Sequence, residues 1–255
     1  MIANYHTHTF RCNHASGTEE EYVRNAIDRG IKVLGFSDHS PYIFEGDHYS
    51  YFRMRPELLE DYASSVLALR EKYKYEIEIQ LGVEIEYYPK YLPETLKMLR
   101  EYPIEYLILG QHFVGNEIGE PYCGRASDSE ELLERYVDQC IEALRTGMFT
   151  YLAHPDLLFF VGDDDIYRKH MQRICVAAKE LDIPLELNLL GLKDGRNYPN
   201  ELFWKIAAAE GCKAILGCDA HSPEALSDII VEKQARALAE KVGIEIIDMV
   251  ELKKF

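Results

Sequence analysis

The sequence predicts an α/β protein built as a seven-stranded variant of the β/α (TIM-like) barrel. Strand and helix signals alternate seven times along 255 residues with no clear linker, and single β/α barrels commonly have about this length. Histidines and carboxylates that read as metal ligands follow strands one to five and strand seven. An open parallel sheet offers one crevice, at a switch point in strand order. Ligands after so many strands need a ring of strand ends, which is the C-terminal face of a barrel.

Each element has its own signal. Ile2–Tyr5 is a short apolar first strand. Thr18-Glu19-Glu20-Glu21 offers a capping box ahead of Tyr22, Val23, Ala26 and Ile27, which recur at helical spacing, and Gly30 ends that helix. Lys32–Ser37 is the second strand, and Pro56–Tyr73 a helix with proline at its start. Ile77, Ile79 and Leu81 alternate along a third strand, Glu76–Val83. Pro93–Glu101 is a short helix, Tyr106–Leu109 the fourth strand and Ser127–Thr146 a helix. Phe149–Ala153 is the fifth strand, Asp165–Leu181 a helix and Pro184–Asn188 the sixth strand. Pro199–Glu210 is a helix, Lys213–Gly217 the seventh strand and Pro223–Val242 the last long helix. Repeated βα units imply a parallel sheet, here in one domain over residues 1–255.

Composition narrows the function classes. Apolar residues make up 47%, enough for a substantial core, and no low-complexity segment is present. The formal charge of −16 argues against nonspecific nucleic-acid binding. The six cysteines, at 12, 123, 140, 175, 212 and 218, form no CxxC pair and no disulfide framework. The first residues carry no signal-peptide pattern, and no apolar run approaches membrane-spanning length. The expectation is a cytoplasmic protein with reduced thiols and no membrane partner.

The chemistry lies in the histidines. His6 and His8, two apart on a strand, place both imidazoles on one face. His14, Ser37-Asp38-His39, Gly82-Val83-Glu84, Gln111-His112, His154-Pro155-Asp156 and Asp219-Ala220-His221 supply further nitrogen and oxygen donors. Taken singly, most have a structural reading: His39 in a surface turn, His154 at a loop entry, His112 as a satisfied core histidine. As a set they point to more than one ion, and imidazole with carboxylate suits Zn, Fe or Mn. Glu84 and Glu86 share one side of their strand, so periodicity alone does not choose between them. His48 and His170 fit no ligand pattern; His170, within a helix, reads as a surface residue. No Ser-His-Asp signature, Gly-rich nucleotide loop or zinc ribbon is present.

The order and spacing of His6-Thr7-His8, Cys12-Asn13-His14, Ser37-Asp38-His39, Gly82-Val83-Glu84, Gln111-His112, His154 and Cys218-Asp219-Ala220-His221 resemble the polymerase-and-histidinol-phosphatase (PHP) family of metal-dependent phosphoesterases. The resemblance covers essentially the whole chain. It implies a distorted seven-stranded barrel, the PHP fold, with three divalent ions. The first would be held by His6, His8, Glu84 and Asp219. The second would be held by Glu84 as a bridge with His112 and His154, and the third by His14, His39 and His221. The G-x-E pattern favours Glu84 as ligand and leaves Glu86 as a neighbour of the ligands or a substrate contact. Within the family the pattern is most like the histidinol-phosphate phosphatases, through Arg11–Gly17, Ser37–Pro41 and Asn188–Pro199.

That resemblance implies hydrolysis of L-histidinol phosphate to L-histidinol and phosphate, in histidine biosynthesis, by a metal-bridging hydroxide attacking phosphorus. Glu84, Asp219, His221 and Arg196 would be catalytic, with Asp219, His221 or water protonating the leaving group. Arg196, after the one strand without a ligand, could clamp phosphate bidentately. The aromatic segment Tyr42–Arg55 reads as a lid, with Arg53 as a second phosphate contact and His48 as a further substrate contact. Asp156 could attract the substrate amine, while the Asp163-Asp164-Asp165 run reads as a helix cap. Other readings are a different phosphate ester, such as a nucleotide or phosphotyrosine, or an amidohydrolase. The latter would usually place a lysine where His112 stands. A non-catalytic metal-binding domain and a proofreading exonuclease complete the alternatives.

Overall fold

The computed structural model describes residues 1–255. Eight parallel strands pair in sequence order: β1 (Ala3–Asn4), β2 (Val33–Phe36), β3 (Glu78–Ile85), β4 (Tyr106–Leu109), β5 (Phe149–Leu152), β6 (Leu185–Asn188), β7 (Lys213–Gly217) and β8 (Glu245–Ile247). Between them run α1 (Glu19–Arg29), α2 (Leu59–Tyr73), α3 (Leu92–Leu99), α4 (Glu130–Arg145), α5 (Asp164–Glu180), the paired α6 (Leu189–Asp194) and α7 (Glu201–Ala209), and α8 (Ile229–Val242). The sheet curls into a barrel-like shell. At its C-terminal rim the extension of β1 meets that of β7: Thr7 bridges to Ala220, His8 N–H donates to Ala220 O at 2.9 Å, and Ala220 N–H donates to His6 O at 3.1 Å.

The eighth strand corrects the expected seven. β8 pairs with the lower part of β7, from Lys213↔Glu245 to Ile215↔Ile247. Its three residues follow the Gly243 cap of α8 and are too short for an alternation to register. α6 was also not anticipated; it is one short turn-and-a-half capped by Asn188, whose side chain accepts from Gly191 N–H.

Local signals account for several boundaries. Thr18 and Glu21 make the expected capping box on α1. Asp163 caps α5, accepting from Asp165 and Ile166 N–H, as the triple-Asp reading expected. His170 is buried rather than on the surface, because it shares the inner face of α5 with Tyr167, Met171 and Ile174; its Nε2 lies 2.9 Å from Glu130 Oε1.

The main core packs helices on the outside of the sheet, while a second apolar cluster of Ala3, Tyr5, Val33, Tyr106, Ile108, Tyr151, Ala153 and Ile215 fills the barrel interior. Val250 and Leu252, beyond β8, pack onto that interior cluster. With apolar residues below, the buried charged groups collect at the opposite end. All six cysteines are free and buried. No helix is long and apolar enough to cross a membrane.

Candidate metal centre

Strand ends deliver the predicted donors to one rim. Thr7 spends its backbone on the closing bridge, so His6 and His8 on either side turn inward, their ring centroids 5.0 Å apart. His39 follows β2, His112 follows β4 and His154 follows β5, while Asp219 and His221 follow β7. His14 comes from the turn after the 3-10 helix Phe10–Cys12. His154 and Asp219 both have positive φ, 29° and 47°, a strained conformation for non-glycine residues that concentrates at functional sites.

Glu84 lies at the centre, buried. Its Oε1 is 2.8 Å from His154 Nε2, 3.6 Å from His6 Nε2 and 3.7 Å from His112 Nε2; its Oε2 is 2.8 Å from His39 Nδ1 and 3.6 Å from His8 Nε2. Asp219 Oδ1 is 3.1 Å from His8 Nε2 and 3.5 Å from His6 Nε2. Donor atoms of His6, His8 and Asp219 lie within 4.8 Å of one another, as do those of His6, Glu84 and His154, and of His14, His39 and His221. His8 also joins His39 and Glu84 in one such group and Cys12 and His221 in another. Gly110 makes the centre possible, since a Cβ there would fall 1.9 Å from Glu84 Oε1.

Second partners fix the imidazoles. His6 Nδ1 is 2.7 Å from Glu186 Oε1, His8 Nδ1 3.4 Å from Asp38 Oδ1, and His112 Nδ1 2.9 Å from Glu86 Oε1. His14 Nδ1 is 2.8 Å from Cys12 O and His221 Nδ1 3.0 Å from Asp219 O. An acceptor at Nδ1 places the proton there and turns the Nε2 lone pair inward, the usual support for a metal-binding histidine. Glu186 and Asp38 were missed as site residues. Glu186 had a signal: it alternates with Leu185 and Leu187 and so shares the inward face with Asn188. Gly217 gives it room, because a Cβ there would lie 1.8 Å from Glu186 Oε1.

Electrostatics divide the cluster. Burial opposes ionisation of Glu84 and Asp219, yet surrounding histidines, His112 and His39 for Glu84 and His6 and His8 for Asp219, hold both well below the usual carboxylate range. Burial also opposes protonation of His6, His8 and His112, but their carboxylate neighbours raise all three, His8 to about 9. Burial, with repulsion from His8, lowers His14, His39 and His221, the last to about 3.

A divalent ion fits this donor set. His6 Nε2, His8 Nε2, His154 Nδ1 and His221 Nε2 are buried with no hydrogen-bond partner, and orphaned polar atoms are costly unless something satisfies them. Cations bound within the donor groups above would satisfy the Nε2 atoms of His6, His8 and His221 and would displace the extra protons on His6, His8 and His112.

Above the cluster opens a cleft of ≈ 400 Å³, with His14, His39, His112, Asp219 and His221 on its floor. Phe52, Phe113, Tyr122, Leu157, Leu190 and Tyr198 form its walls, and Asp194 and Arg196 stand on one side. Arg196 is directed by Asp194, which accepts from Nε at 3.3 Å and Nη2 at 2.9 Å, and by the Tyr198 hydroxyl, 2.8 Å from Nη1.

The other expected substrate contacts lie outside the cleft. Arg53 is 1% exposed and bonded to Glu86 and Glu117, beneath the Phe52 ring, so its charge is already neutralised. Glu86 is engaged by Arg53 and His112. His48 Nε2 is 3.4 Å from Glu117 Oε1. Asp156 is buried and accepts from Asn200 N–H at 2.5 Å; desolvation pushes its carboxyl up to about 7. Arg53, Glu86 and Asp156 were drawn to the substrate by sequence proximity to the donors, whereas burial turns them into the supporting layer; His48 stays exposed, outside the cleft. Of the Tyr42–Arg55 segment, only Phe52 reaches the cleft, and Tyr51 is exposed to solvent.

Known proteins resemble the chain in sequence and in fold. The model of the PHP domain matches residues 4–189. A "Probable histidinol-phosphatase" of Deinococcus radiodurans is 30% identical over 233 residues, covering 87% of each chain. One of the same name from Schizosaccharomyces pombe is 23% identical over 277 residues, covering 98% of this chain and 90% of that one. Among solved structures, histidinol phosphate phosphatase from Lactococcus lactis, complexed with zinc, L-histidinol and phosphate, superposes with a TM-score of 0.75 at 20% identity, covering 96% and 95% of the two chains. A putative histidinol phosphatase from Listeria monocytogenes gives 0.71 at 19% identity, covering 89% and 98%. The barrel-like shell, the rim of histidines and the span of the matched residues agree: this chain belongs to the PHP domain family.

Proposed function

We propose that the protein is a metal-dependent phosphomonoesterase that hydrolyses L-histidinol phosphate to L-histidinol and inorganic phosphate. One observation carries the reading: unpartnered imidazole nitrogens cluster with Glu84 and Asp219 beneath a cleft whose rim holds a directed arginine. The names of the Deinococcus and yeast relatives support the substrate.

His6, His8, Glu84 and Asp219 would hold one ion, Glu84 with His112 and His154 a second, and His14, His39 and His221 a third; Zn, Fe and Mn all accept these donors. Bound there, such ions supply Lewis-acid polarisation of the phosphoryl oxygens and a more acidic water.

The chain's own residues do the rest. Arg196 has five N–H donors, of which Asp194 and Tyr198 engage three, so two remain for the phosphate oxygens. His221 is neutral at neutral pH, which suits its Nε2 to donating a lone pair rather than a proton. Asp219, which lines the cleft and is steadied by Asn188 Nδ2 at 3.1 Å, is the carboxylate placed to carry the proton. It takes the proton of the attacking water as the new P–O bond forms, and returns it to the alkoxide as the ester P–O bond breaks. The Phe52–Phe113 wall keeps bulk water from this exchange.

The test is phosphate release from L-histidinol phosphate beside nucleotides, phosphotyrosine and sugar phosphates, with Mn, Zn or Fe supplied. A strong preference for L-histidinol phosphate is expected. Equal or faster turnover of another ester would keep the chemistry and overturn the substrate.

A further inference from the structure

The loop that should have supplied phosphate contacts instead contains a buried brace. Arg53 Nη1 and Nη2 donate to the two carboxylate oxygens of Glu86, at 3.0 and 3.1 Å, and Nη2 also donates to Glu117. All three residues are at most 5% exposed. Ser40 O accepts a further bond from Nη1, and the guanidinium lies 4.4 Å from the Phe52 ring centroid. One limb of the brace ends on a donor of the metal centre: Glu86 Oε1, while paired to Arg53, lies 2.9 Å from His112 Nδ1. The other limb ends on the aromatic wall. Glu117 sits on the loop between Phe113 and Tyr122, and those two residues pair across it.

Ion pairs buried this deeply seldom repay their desolvation as stability alone. The placement of this one has a different use. We infer that Arg53 with Glu86 and Glu117 is a positioning brace with separable outputs. Through Glu86 it fixes the His112 ring so that Nε2 faces Glu84, and through Glu117 it holds the Phe52–Phe113–Tyr122 wall over the cleft. Arg53 and Glu86 are positioning residues; neither lines the cleft. The first output rests on the reading of His112 as a metal donor given above.

The matched variants Glu86→Ala and Glu117→Ala separate the outputs from plain destabilisation. Each leaves Arg53 paired with the remaining carboxylate, so neither strands the buried charge, and each removes one partner of the same arginine. Both proteins and the unmodified chain are loaded with Mn2+ or Co2+, dialysed, and their metal content and dissociation constants measured, with the Co2+ absorption spectrum as a report on ligand geometry. KM and kcat are measured with the ester that the unmodified enzyme turns over best, or with p-nitrophenyl phosphate.

Glu86→Ala is expected to weaken one ion per chain by about 10–100-fold and to alter the Co2+ spectrum, as loss of a histidine's carboxylate partner does elsewhere. Glu117→Ala is expected to keep full metal content and raise KM severalfold with a smaller change in kcat. Equal metal loss in both variants would reduce the brace to a stability element and overturn the inference. So would unchanged metal affinity in Glu86→Ala. An unmodified chain that binds no metal would sink the metal-centre reading itself, and the inference with it.

Discussion

At the scale of single residues, the centre depends on Glu84, which contacts more imidazoles than any other carboxylate of the site. Glu84→Ala is expected to lose bound metal and reduce phosphate release by several orders of magnitude, measured by metal analysis and a phosphate assay on one preparation. Full metal content with normal turnover would contradict its placement. Arg196→Met should leave metal content intact and weaken product inhibition by inorganic phosphate by about tenfold or more, consistent with loss of a charge-assisted pair. Asp156 yields a pH prediction. Its buried carboxyl titrates near 7 in the fold, above its ordinary value of 3.8, so the folded chain binds more protons than the unfolded chain between those limits. Stability must therefore fall as pH rises through that window. Thermal melts from pH 5 to 8 should show the unmodified chain losing ground to Asp156→Asn, and parallel curves would refute it.

At the scale of elements, the sequence carried most of the architecture. Capping signals at Thr18 and Asp163 and the apolar alternation of β3 are local, and local signals survive folding. β8 and α6 were hidden because three and six residues are too few for a period to show. Most donors were legible because they follow a strand or, like Glu84, stand in a recognisable motif, whereas Glu186 offered only its alternation within β6 and acts through His6. Arg53 and Asp156 misled for the opposite reason. Charged residues in a loop near ligands read as substrate contacts until burial shows their partners. The close approach of β6 to β7 gives a direct test. Gly217→Ala forces a methyl against Glu186 and should cost about 1–3 kcal/mol with a parallel drop in metal content. An unaffected melting temperature would mean the two strands can part without penalty.

At the scale of the whole molecule, the barrel has a polar end and a plugged end. Val250 and Leu252 close the latter over the interior cluster, and Lys253 N–H donates to Thr150 Oγ1 at 3.2 Å. Deleting the residues beyond Asp248 should remove about 2–3 kcal/mol of apolar burial. A melting curve would read that loss, while metal content at the far end should hold. The seam of the ring has a consequence in time rather than in space. The rim closes between residues 7 and 220, and its donors run from His6 to His221. A chain emerging from the ribosome therefore carries its first histidines long before their partners exist. Until Ala220 leaves the exit tunnel, His6 and His8 are an open His-Thr-His chelate with no cleft around them, so the complete centre can be loaded only once Ala220 and His221 are free to close on the first strand.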